Sequence, residues 1–141
     1  MYLDTSVAIA IYTREPDSEK LEAILTKSDG FISSELLIGE MSRALLAKEK
    51  SGVITPEIRQ AVLTKFEGHL ADGIVQLVAL NGLIVREAVE VMYQVYPQVL
   101  LRTLDAIHLA TYLSVDSGPL FTRDKRMLAA AKILGLPLAQ D

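Results

Sequence analysis

Carboxylates are where this 141-residue chain offers chemistry. Cysteine is absent and only His69 and His108 supply imidazole. Thiol nucleophiles, thiolate zinc sites and three-histidine centres are thereby excluded, and any metal must be held by oxygen. Asp4 follows the short apolar stretch Met1-Tyr2-Leu3, and Asp124 follows Leu120-Phe121 through Thr122-Arg123. Ligands of open parallel sheets bind outside the carboxyl ends of the strands, so both aspartates are expected on one rim. Taken singly, each is equally well explained as a helix N-cap. Glu40, at i+4 from Leu36 and i−4 from Ala44, lies on or beside an apolar helical stripe, where an unpaired carboxylate is costly and needs a partner. Asp105 opens Leu104-Asp105-Ala106-Ile107-His108-Leu109-Ala110. The helix dipole explains an acid in a first turn but leaves those apolar neighbours as coincidence. Glu49 and Glu57 need only solvation and the dipole.

The elements that must position these acids follow from periodicity. Tyr2-Leu3 reads as a very short strand entering a helix at Asp4-Thr5-Ser6, and Asp17-Ser18-Glu19 opens a second helix that ends near Lys27. Phe31-Ile32-Ser33 is the next strand, and Ser34 is expected to start a long helix with Leu36, Leu37, Met41, Ala44 and Leu45 on one stripe. Thr55-Pro56-Glu57 begins its hairpin partner, with Ile58, Val62, Leu63 and Phe66 at helical spacing. Ile74 to Val78 is a strand and Leu83 to Val95 a helix with Val85, Val89 and Met92 as its apolar face, stopped by Pro97. Thr103 is expected to cap a helix through Leu113, followed by a strand at Pro119-Leu120-Phe121, a helix from Arg123 to Leu134, and an edge strand at Leu136-Pro137-Leu138. Short apolar strands alternating with helices call for a single α/β domain over residues 1–141, a three-layer α/β/α sandwich around a short, mainly parallel sheet.

The chain is 50% hydrophobic, with Lys+Arg 14 against Asp+Glu 18 and a net charge of −4. Its mean hydropathy of +0.30 argues against disorder. The global field does not draw in nucleic acid, so a local basic patch must do so. No apolar run approaches the roughly 18 residues of a membrane span, and Asp4 stands where a signal peptide wants positive charge, so no membrane partner and a cytoplasmic location are expected.

Together, Tyr2-Leu3-Asp4-Thr5-Ser6-Val7, Ser34-Glu35-Leu36-Leu37-Ile38-Gly39-Glu40, Thr103-Leu104-Asp105-Ala106-Ile107-His108-Leu109-Ala110 and Phe121-Thr122-Arg123-Asp124 resemble, in order and spacing, the four motifs of the PIN-domain ribonucleases. Size and layout look most like the VapC toxins of toxin–antitoxin pairs. The resemblance implies an acidic cluster of Asp4, Glu40, Asp105 and Asp124 with Thr122 or Ser6 as a hydroxyl at its edge. Converging carboxylates require a neutralising cation, and hard oxygen ligands suit Mg²⁺ or Mn²⁺. The implied reaction is metal-assisted hydrolysis of an RNA phosphodiester, leaving a 5′-phosphate and a 3′-hydroxyl because water is the attacking group. Arg102, Arg123, Lys125 and Arg126 are candidates to hold phosphate, with plain solvation as the alternative. Arg43 is expected to pair with an acid. His108, read as pointing roughly a hundred degrees away from Asp105, is assigned to packing or a local hydrogen bond. The same resemblance implies a homodimer and a VapB-like antitoxin.

Three rivals remain. A PIN nuclease of RNA maturation without an antitoxin shares the chemistry. A phospho-acceptor receiver domain needs paired acids after its first strand, which Asp4-Thr5-Ser6 lacks. A catalytically silent binding module is disfavoured by acids at all four positions.

Overall fold

The computed structural model describes residues 1–139, so the last two residues of the expected domain, 140 and 141, lie outside the described residues. The strands are β1 (Tyr2–Leu3), β2 (Phe31–Ser34), β3 (Val75–Val78) and β4 (Leu120–Phe121). The helices are α1 (Thr5–Tyr12), α2 (Ser18–Leu25), α3 (Leu36–Lys50), α4 (Pro56–Ala71), α5 (Gly82–Val95), α6 (Thr103–Leu113) and α7 (Lys125–Ile133). The four strands are parallel throughout and stand in the order β3-β2-β1-β4. Leu138 adds a single parallel bridge to Leu120, so the expected edge strand is reduced to one residue pair.

Alternation along β1 divides the core. Tyr2 is buried with α5, α6 and α7 on one face, while Leu3 packs with α1 and α2 on the other. A third cluster under α3, α4 and β3 includes Met41, Leu45 and Phe66. Both faces are thus covered, as a parallel sheet requires.

Topology selects the functional rim. The chain runs outward from β1 to β3 through α1, α2 and the α3–α4 hairpin, then α5 and α6 carry it back to β4 beside β1. Strand order reverses between β1 and β4, and in such sheets the crevice opens at that reversal, outside the carboxyl ends. Asp4 directly follows β1 there, and its backbone N–H donates to the Phe121 carbonyl at 3.0 Å, locking the two strand ends together.

Three local expectations are corrected. Ser34 closes β2 instead of starting a helix, and α3 has Glu35 at its N-cap. Arg102, not Thr103, is the N-cap of α6, and its side chain makes no capping bond. On α5 the buried face is Ile84, Ala88, Val91 and Val95, whereas Val85 and Val89 are exposed. Arg86, Glu87, Glu90 and Gln94 occupy one side of that helix, and the apolar face opposite is wide enough to hold two stripes one residue apart, of which packing against α6 selects one. No helix among the described residues is long and apolar enough to cross a membrane.

Candidate active site

Asp4 sits at the N-cap of α1, where its Oδ2 accepts from the Ser6 N–H at 3.3 Å, the Ser6 hydroxyl at 2.5 Å and the Thr122 hydroxyl at 2.8 Å. The capping reading and the site reading therefore describe one carboxylate, buried to 5% exposure with three donors on one oxygen. Thr122 is buried beyond the end of β4 and accepts from the Asp124 N–H at 3.0 Å, so one hydroxyl ties Asp4 to the backbone of Asp124. Asp124 caps α7 through Oδ1, which accepts from the N–H groups of Arg126 at 2.7 Å and Met127 at 3.1 Å. Ser6 in turn accepts from the Arg123 N–H at 3.0 Å.

Glu40 has the partner its position demanded. Its Oε2 accepts from the Thr5 hydroxyl at 2.5 Å and lies 2.6 Å from His108 Nε2. Burial pushes this carboxyl up, but the His108 hydrogen bond and charge, with the Thr5 hydroxyl, outweigh it and hold it below the usual glutamate range. For His108, burial pulls downward, and the Glu40 bond with the charges of Asp4, Glu40 and Asp105 reverses this and raises it.

Asp105 differs from the other three acids. Its Oδ2 is buried and has no hydrogen-bond partner. Desolvation, then the charge of Asp124, and more weakly that of Asp4, push its carboxyl above the ordinary range against the opposing charge of Arg102. Asp105 thus lies within the repulsive field of both Asp124 and Asp4. Among the described residues no three His, Asp or Glu side chains form a ready-made metal cage. Glu40 is engaged through Oε2 by Thr5 and His108, and Asp124 through Oδ1 by the start of α7.

The basic candidates separate. Arg123 forms ion pairs with Glu15 at 2.8 Å and Asp17 at 3.0 Å, bracing the start of α2 against the rim. Arg102, Lys125 and Arg126 are exposed beside the acids, with no carboxylate within 4.0 Å among the described residues. Arg43 has none either, so its expected acid partner is not found there.

Thr5, His108 and Tyr2 escaped the reading of the sequence as members of the cluster. The available signal was helical spacing: three residues carry 300° of turn, which leaves His108 about 60° from Asp105 and on its side of α6, not a hundred degrees away.

A model of the PIN domain matches residues 1–133. Ribonuclease VapC46 of Mycobacterium tuberculosis is 38% identical over 138 residues, covering 96% of this chain and 93% of that protein. Ribonuclease VapC35 of the same species is 31% identical over 142 residues at the same coverages, 96% and 93%. A crystal structure of VapBC2 from Rickettsia felis bound to a DNA fragment from their promoter superposes with a TM-score of 0.67 at 14% identity, covering 97% of this chain and 95% of that one, a likeness of fold.

Proposed function

Because the chain belongs to the PIN domain family, and within it to the VapC ribonucleases, we propose that it is a divalent-metal-dependent endoribonuclease and the toxin of a toxin–antitoxin pair. The observation that carries this reading is Asp105 Oδ2: a buried carboxylate oxygen without a donor, beside two further acids, is stable in ionised form only next to a cation. The donor set is all oxygen, which fits Mg²⁺ or Mn²⁺ and does not fit soft metals. Asp4, Asp105 and Asp124 would hold the ion, with Glu40 at its edge. A bound divalent ion supplies Lewis acidity toward phosphoryl oxygens and makes water a stronger nucleophile.

The chain's own residues do the positioning. Ser6 and Thr122 fix Asp4 through Oδ2, and the start of α7 fixes Asp124. Arg102, Lys125 and Arg126 offset the repulsion between acids and RNA by taking flanking phosphates. Arg123 serves the scaffold through Glu15 and Asp17. The VapC relatives and the VapBC2 assembly support a VapB-like antitoxin as partner. The apolar residues left exposed on α5, Leu83, Val85, Val89 and Tyr93, support a homodimer. RNA as substrate fits action in the cytoplasm.

The test is cleavage of total cellular RNA by wild type and Asp4→Asn, with Mg²⁺ or Mn²⁺ and then with chelator. Cleavage is expected only from wild type with metal, leaving 5′-phosphate and 3′-hydroxyl ends. Cleavage that survives both the substitution and the chelator rejects the reading.

A further inference from the structure

His108 is 1% exposed, and both ring nitrogens meet polar partners, Nε2 at Glu40 and Nδ1 at the Tyr2 hydroxyl 3.0 Å away. It connects the centre of the sheet to one carboxylate of the candidate site. Glu40 Oε2 offers only lone pairs to these partners when ionised, so Nε2 carries a proton whatever the charge of the ring. The Thr5 hydroxyl has one proton and gives it to Glu40, so its 3.3 Å approach to Nε2 is a second acceptor branch of the same N–H. Tyr2 is fully buried between α6 and the sheet and stacks edge-on against both His108 and Tyr112, which fixes the ring from behind.

We propose that His108 is a positioning residue: together with Thr5 it holds Glu40 by Oε2, so that Oε1 is the one oxygen Glu40 presents to the cation or to water, and Tyr2 sets the orientation of the ring. The inference rests on the nuclease reading above and deepens it. Outer partners of this kind typically change metal affinity or activity by 10–100-fold when removed, because a carboxylate free to rotate must be ordered at each turnover.

The test combines the side-chain series at 108 with Glu40→Ala, measuring RNA cleavage, Mn²⁺ affinity by calorimetry on metal-free protein, and melting temperature for each variant. His108→Leu is expected to lower kcat/KM and Mn²⁺ affinity by about tenfold or more. His108→Gln places an amide N–H near the position of Nε2 and is expected to recover most of both. His108→Asn places it near Nδ1 and is expected to stay as impaired as His108→Leu. Adding His108→Leu to Glu40→Ala is expected to cost no more than about twofold beyond Glu40→Ala alone, because the two act through one group.

Wild-type Mn²⁺ affinity and cleavage in His108→Leu, costs that multiply in the double variant, or equal behaviour of the Gln and Asn variants overturns the assignment. If His108→Leu fails to fold, the Gln and Asn pair decides. Asp4→Asn is the reference: inactive Asp4→Asn with indistinguishable Gln and Asn variants removes only the role of His108. Fully active Asp4→Asn removes the nuclease reading and this inference with it.

Discussion

At the scale of the residue, Asp105 combines an electrostatic liability with the largest functional claim of the cluster. Its carboxyl is raised in the folded chain, so the folded state loses stability as pH rises through that value, and the loss is absent where the group is protonated in both states. Asp105→Asn is therefore expected to melt higher than wild type in chelator at neutral pH, with the difference closing in acid, and to have no cleavage activity. Equal melting of the two proteins in chelator across that range contradicts the assignment of strain to this group. Thr122 makes the opposite case, since its hydroxyl serves both Asp4 and the Asp124 N–H. Thr122→Val is expected to cost about 1–3 kcal/mol in chemical denaturation and to reduce cleavage, while Thr122→Ser restores both. The four acids stood out as candidates in the sequence because carboxylates beside apolar positions or at strand ends need an explanation, and the resemblance to the PIN motifs joined them into one expected site. The hydroxyl and imidazole partners were not, because a threonine after a capping aspartate and a histidine inside an apolar run each have an ordinary local explanation, and only the fold brings Thr5, Glu40 and His108 together.

At the scale of the element, the start of α4 was readable from Pro56, the end of α5 from Pro97 and the strands from short apolar runs; β1 to β4 each lie within a residue of their expected place, whereas the expected edge strand is a single bridge. The apolar face of α5 was not. Val91 is fully buried and Val89 is 42% exposed. Chemical denaturation is expected to show Val91→Ala losing about 2 kcal/mol and Val89→Ala losing less than about 0.5 kcal/mol. The reverse ranking contradicts the observed packing of α5. If α5 pairs with a second copy, the cost of Val89→Ala grows with protein concentration, which equilibrium sedimentation checks independently.

At the scale of the molecule, parallel strands in the order β3-β2-β1-β4 bring Asp4 and Asp124, from opposite ends of the chain, to one crevice. A net charge of −4 gives RNA no general attraction, so binding depends on the few exposed cations at that rim. Replacing Arg102, Lys125 or Arg126 singly with Gln is expected to weaken binding of RNA to Asp4→Asn protein and to lower the slope of log affinity on log salt by about one each. Arg123→Gln acts differently, lowering melting temperature through the loss of its bonds to Glu15 and Asp17. The central claim is that three separated aspartates share a cation. Titration of Mn²⁺ into metal-free protein followed by calorimetry tests it most directly: wild type is expected to bind the ion, Asp105→Asn to lose that heat, and undiminished binding by Asp105→Asn, or none by wild type, contradicts the account.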